Sequence, residues 1–431
     1  VRIRFRGGRV VDPSQALDAR RDVLVQDGRI EALIEPGAEA TVETTVDLSG
    51  KVVAPGFVDI GARLGEPGFE YRETIATGLA AAAAGGYTTV ACSPHTEPVL
   101  DSPSVVEHVR AAAARVGTAR LEPLAAASRG LAGEQLSEYL LLSRAGAVGF
   151  SNGQRPLSDG ALLRRALLHA RHVDRVVMHR PEDPGLAGKG VMHEGRVSAR
   201  LGLAGVPATA EAAMIARDLL LVEEVGGRLH FHTVSAGRSL DLIRQTRAAG
   251  VEVTLDVGIH HLIGCDEDVE TSGFSPMVKI QPPLRTAADR EALRAAVADG
   301  TVQAVISHHV PLDADEKLDS FDRVPFGAIG LEHAVALALS ELVRPGTVPL
   351  RRLVEVFATG PAAILGLGDR GTLRTGARAD FTVLDLDQAW TIRPDEGRSC
   401  SRNHPYAGRS GVGRAVATYL DGVVVAGTGP G

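Results

Sequence analysis

A chain of 431 residues, 44% hydrophobic and 23% charged, exceeds one ordinary globular domain, but a single α/β barrel with a small attached domain absorbs that length. A net charge of −7 and a pI near 6.1 point away from nucleic acid and anionic membranes as partners. No apolar run is long enough to cross a bilayer, and Cys92, Cys265 and Cys400 are too few and too scattered for a disulfide framework; the expected setting is the cytoplasm.

The first segment, VRIRFRGGRVVDP, alternates like a strand and lacks the apolar stretch of a secretory leader. Residues 1–51 continue as short strands with turns at Asp27-Gly28 and Ser49-Gly50. From residue 52 the pattern changes. The apolar, β-branched runs VVAPGFVD, TTVACS, RLEPLAAAS, AVGFS, RVVMH, RLHFHTVS, VEVTLDV and VQAVISHH read as eight strands. Helical periodicity separates them, as in PSVVEHVRAAAARVG, EQLSEYLLLSRAG, AEAAMIARDLLLVEEVGG and ADREALRAAVADG, many of which end on Gly. Eight strands each followed by a helix predict an α/β fold, a (β/α)8 barrel over residues 52–365. Residues 366–431 return to strands, so both chain ends are expected to pair into one small β-sandwich made of 1–51 and 366–431.

In such a barrel the site lies at the C-terminal ends of the strands. Reading those ends gives Gly61 and Arg63, then His95, Asn152 and Gly153, His179, His232, His260-His261 and His308-His309. Histidines at a barrel mouth suggest a metal-dependent hydrolase.

Several segments in order, GFVDIGARLGEPGFEYRETIATGLAAAAAGGYTTV, VSARLGLAGVPATAEAAMIARD, HFHTVSAG, PPLR, PFGAIGLE and GARADFTVLDLD, resemble the dihydroorotases of the amidohydrolase superfamily over essentially the whole chain. The resemblance implies a place in pyrimidine biosynthesis and a set of functional positions, most of which differ here. The paired metal-binding histidines of the first strand align with Gly61 and Arg63, and the arginine that grips the substrate carboxylate aligns with Gly65. His95 stands for a substrate-binding Asn, Asn152 and Gly153 for the segment with the metal-bridging Asp, and Gln281 for another substrate-binding Asn. His308 replaces the catalytic, metal-binding Asp, and Leu312 a substrate-contacting His. Only His179 and His232 match metal-ligand positions. None of Lys51, Lys189, Lys279 and Lys317 lies near strand four, where related cyclic-amide hydrolases carry a bridging carbamylated lysine.

A metal lowers the pKa of its bound water from about 15.7 to about 7. A guanidinium within about 5 Å of a divalent ion would cost on the order of 5–7 kcal/mol at an effective dielectric near 20. From these losses the sequence predicts a pseudoenzyme with no cofactor and no catalytic residue. The resemblance, together with these losses, implies a structural subunit of an aspartate carbamoyltransferase complex, with self-association left open. The alternative is an active dihydroorotase, or another cyclic-amide amidohydrolase, with one zinc ion held by His179, His232 and His308.

Overall fold

The structure, a computed structural model, describes residues 1–427. Eight strands, β1 (Phe57–Ala62), β2 (Tyr87–Cys92), β3 (Arg120–Ala126), β4 (Gly149–Ser151), β5 (Val176–His179), β6 (Arg228–Phe231), β7 (Val253–Gly258) and β8 (Ala304–Ile306), lie side by side in chain order. Every neighbouring pair is parallel, with a helix packed outside each crossover. The alternation of the strands explains the layers: Val58, Ile60, Ala91, Leu124, Met178 and Ile306 form the inner core. Phe57, Val90, Phe150, Val177, Phe231 and Leu255 belong to the outer core shared with the helices.

Helix boundaries follow local chemistry. Ile75–Ala84 starts at Thr74, whose hydroxyl accepts the Thr77 N–H at 3.1 Å. Pro103–Val116 stops at Gly117, which takes φ +70°.

The barrel closes through side chains. Ser307 N–H and Oγ–H donate to the buried Asp59 carboxylate at 2.9 and 2.8 Å, joining the end of β8 to β1. Further along the chain, Arg63 N–H donates to the His309 carbonyl at 2.9 Å. The seam therefore runs directly beneath the mouth where Arg63 and His308 stand.

Both chain ends form the second core. One sheet holds Arg2–Arg6, Asp22–Gln26, Arg29–Ile34 and Thr44–Asp47. The other holds Arg9–Asp12, Leu17–Arg20, Val52–Pro55, Phe381–Thr391, Ser410–Leu420 and Val423–Gly427. Phe5, Val23 and Ile30 of the first pack on Val53, Phe381 and Tyr419 of the second, with the Phe5 and Phe381 rings edge to face at 4.8 Å. The segment VVAPGFVD, read as one barrel strand, is two. Val52–Pro55 pairs with Phe381–Thr391 in the terminal sheet, and the barrel begins at Phe57. The break falls at Gly56, where a Cβ would sit 2.1 Å from the Thr88 hydroxyl.

Candidate functional site

The strand ends converge on a pocket of about 450 Å³ including its open mouth. Gly61, Arg63, Ser93, Ser151, Gly153, Gln154, Arg180, His232, Thr233, Gln281 and His308 line it. Two of these that are not glycine hold left-handed backbone, Thr233 at φ +63° and His308 at φ +53°. For a β-branched residue that conformation is strained, and such strain gathers where a site fixes its groups. The Thr233 N–H is held by Asp256 Oδ1 at 2.8 Å.

The positions that lack family ligands are not open. A Cβ on Gly61 would meet His232 Cε1 at 2.7 Å and Ile306 Cδ1 at 2.8 Å. On Gly65 it would meet the Phe69 carbonyl at 2.4 Å, because the chain turns back on itself there. On Gly153, at φ +62°, it would lie 2.1 Å from His95 Nδ1: the imidazole of His95 fills the space a side chain at 153 would need. Restoring an acid at this position is therefore expected to destabilise. Gly153→Asp should lose about 1–3 kcal/mol through overpacking, seen as a lower urea midpoint.

Asn152 is committed as well: its Oδ1 accepts from Ser128 N–H and Oγ–H at 3.2 and 2.7 Å, and its Nδ2 donates to the Leu131 carbonyl. Gln281 Nε2 donates to Glu182 at 2.9 Å, and its carbonyl receives His308 Nε2–H at 3.1 Å. Leu312 is buried against the backbone near Gly327. His260 and His261 are buried in the short helix Ile259–Ile263 that follows β7, and His261 Nε2–H donates to the Pro282 carbonyl at 2.9 Å.

The two histidines that match family positions differ in what they can do. His179 is used on both sides: Nδ1–H donates to Asp218 Oδ2 at 2.6 Å, and Nε2 accepts the Leu157 N–H at 2.9 Å. It is a buried strut. In His232, Nδ1–H donates to Asp256 Oδ2 at 2.6 Å, which fixes the tautomer and leaves the Nε2 lone pair on the pocket wall beside Gly61. Asp256 also accepts His230 Nε2–H at 2.8 Å. Burial alone would raise the Asp256 pKa, but the hydrogen bonds from His230 and His232 outweigh it and hold the carboxylate ionised.

The charge of the mouth is positive. Burial, then the like charges of Arg72 and Arg180, pull the Arg63 pKa down to about 9, and its guanidinium has no hydrogen-bond or ion-pair partner among the described residues. Arg180, only 3% exposed, pairs with Glu182 at 3.1 Å and keeps a buried Nε–H without a partner. Burial and the charges of Arg63, Arg155 and Arg180 keep His95 neutral, and its Nδ1 is buried and unbonded. His308 is likewise held neutral, by burial and then by His261, His260, His232 and Arg180.

A divalent metal does not fit this donor set. Position 61 has no side chain, position 63 is a cation, Asn152 and both His179 nitrogens are spent, and His308 is turned onto Gln281. Among the described residues the one group of three potential ligands within mutual reach is His230, His232 and Asp256. There the His230 ring and the carboxylate are already bonded to one another, and the ring to Thr254 as well.

The model of the family described as dihydro-orotase-like matches residues 50–239, and that of the amidohydrolase family matches 285–426. A protein called dihydroorotase from Anaeromyxobacter dehalogenans is 45% identical over 97% of this chain and 96% of its own. One of the same name from Pelotomaculum thermopropionicum is 43% identical over 99% and 98%. The chain belongs to the dihydroorotase family. Among solved structures, the L-hydantoinase (dihydropyrimidinase) of Arthrobacter aurescens superposes with a TM-score of 0.90 at 26% identity, covering 99% of this chain and 96% of that one. Family membership at this identity overturns the expectation of a pseudoenzyme serving as a structural subunit. Relatives that share nearly the whole length carry the name of an enzyme. That expectation treated the metal ligands as the family's sole means of catalysis, and so passed over Asp256 and Arg180. Arg180 directly follows the end of β5, one residue beyond His179, and Asp256 is the acid inside the apolar run VEVTLDV. No helix among the described residues is long and apolar enough to cross a membrane.

Proposed function

We propose that the chain catalyses the dihydroorotase reaction, the reversible opening of the six-membered cyclic amide dihydroorotate to N-carbamoyl aspartate. The observation that carries this reading is the His232–Asp256 pair in a cationic pocket, in a chain whose full-length relatives are named for this activity. Water adds to the ring carbonyl carbon while His232 Nε2 takes its proton. The carbonyl oxygen gains negative charge in the positive field of the pocket. The C–N bond then breaks, and the leaving nitrogen takes the proton back from His232. Ring closure runs the same steps in reverse, with loss of water.

A positioned base contributes about 10²–10⁴-fold and one donor to the oxyanion about 10²–10³-fold. Together these give about 10⁴–10⁷ over the uncatalysed reaction, which is modest among enzymes. Slow turnover is therefore expected.

The test is a steady-state ring-opening assay on purified protein, with a full-length relative such as the Anaeromyxobacter dihydroorotase as positive control. Turnover should be measurable and unchanged after exhaustive treatment with a chelator, because no metal-ligand set is assembled. Restoration by zinc of an activity the chelator removed would refute the metal-free mechanism. Absence of turnover under every condition, beside a working control, would refute the proposed function.

A further inference from the structure

The pocket has a positive charge that the protein leaves unanswered. No Asp or Glu is among its lining residues, although acids outnumber bases in the chain, 53 Asp and Glu against 46 Lys and Arg. Glu182 offsets one guanidinium, that of Arg180, and is itself shared with Gln281. Arg63 has no such offset. An uncompensated guanidinium in a half-buried site costs stability, and a fold retains it where an anion from outside completes the pair.

The polar groups around it suit a small anion. Arg180, on the pocket wall, presents a buried, unpartnered Nε–H. Ser93, Ser151 and Gln154 add hydroxyl and amide groups on the same wall. Position 65, where the resemblance would place a carboxylate-gripping arginine, cannot accept any side chain with the present backbone. Two residues earlier, Arg63 projects into the same mouth as His232.

We infer that Arg63 and Arg180, above a floor at Gly153 that His95 packs against from outside the pocket, form a carboxylate-binding site that seats the ring carboxylate of the substrate and turns its cyclic amide toward His232. The inference rests on the dihydroorotase reading for the identity of the ring, and on the geometry alone for the anion. The two guanidiniums supply charge-assisted hydrogen bonds to one carboxylate.

Calorimetric titration of the full chain tests it, with three probes: L-dihydroorotate, its carboxylate-free counterpart 5,6-dihydrouracil, and malonate as a simple carboxylate. The wild type should bind dihydroorotate at least about tenfold more tightly than dihydrouracil, and should bind malonate at millimolar concentration. Arg63→Gln should erase the preference and the malonate binding. It should also raise the thermal midpoint of the unliganded protein, since it removes an unpaired, half-buried charge; Arg63→Lys should recover part of the binding. Unchanged malonate and dihydroorotate affinity in Arg63→Gln overturns the site, as does equal binding of the two ring compounds by the wild type. Malonate binding that depends on Arg63 in a protein without turnover sustains the anion site while the catalytic reading fails. Turnover whose KM for dihydroorotate ignores the Arg63 substitution sustains that reading while the anion site fails.

Discussion

Glu211→Ala is expected to cost about 3–5 kcal/mol of folding stability, a larger loss than Gly153→Asp should bring. Glu211 lies on the helix Ala208–Val225 and is 2% exposed. Its carboxylate accepts the Ser235 N–H at 3.0 Å, the Ser235 hydroxyl at 2.5 Å and the Ala236 N–H at 3.1 Å, and so pins the loop that follows β6. Arg285, 3% exposed, lies 3.9 Å from the same carboxylate and donates to Ser235 Oγ at 3.0 Å and to the Val206 carbonyl at 2.7 Å. Removing the acid takes the nearby counter-charge from a buried guanidinium and leaves two backbone donors without an acceptor, so part of their desolvation is uncompensated. Equilibrium unfolding in urea should show a lower midpoint at unchanged slope. The double variant Glu211→Leu with Arg285→Met should recover part of the loss, since an apolar pair of similar volume replaces a buried ion pair at little cost. Leu220→Ala, on the exposed face of the same helix, should leave the midpoint nearly unchanged.

The barrel was legible because its strands alternate between two buried layers and its helices carry their stops in Gly. Gly117 and Gly146 adopt the left-handed conformation those stops require. The pairing of the two chain ends was legible for a different reason: neither flank holds enough apolar surface to bury alone. What the sequence could not show was contact between distant residues. Gly56 breaks a continuous apolar run because Thr88 approaches it, and Thr88 is on the next strand.

The site followed the same rule. His95 and Gly153 look like two separate departures from the family pattern, yet in space one occupies the room of the other. His179 and His232 look equivalent in sequence, and only the partners Leu157, Asp218 and Asp256 separate a strut from a base. Arg63 in sequence reads only as a penalty for a metal. In the fold it is an unpaired cation at the seam of the barrel, lining the same pocket as His232. The net charge of −7 gives no hint of a cationic mouth, because the sum over a surface does not constrain a pocket of about a dozen residues.

Asp256→Asn should reduce ring opening by about 10³–10⁴-fold, with a much smaller change in KM. The substitution keeps the size of the side chain and its place near the end of β7, but it changes what the oxygen can ask of His232. With a carboxylate, Oδ2 accepts from Nδ1 and leaves the lone pair on Nε2, at the pocket wall. With an amide, the NH₂ group can donate to Nδ1 instead, which moves the imidazole proton to Nε2 and removes the base from the site. The imidazolium formed during proton transfer also loses its counter-charge. Because His230 Nε2–H and Thr233 N–H draw on the same carboxylate, some stability will be lost as well. Two readouts separate that loss from catalysis. Malonate should still bind the variant at Arg63, since Asp256 does not touch the anion site, and the loss should fall on kcat rather than on KM. A variant that binds malonate normally yet turns over dihydroorotate like the wild type would show that the proton moves through some other group. His308, held neutral with its Nδ1 unbonded, would then be the residue to replace.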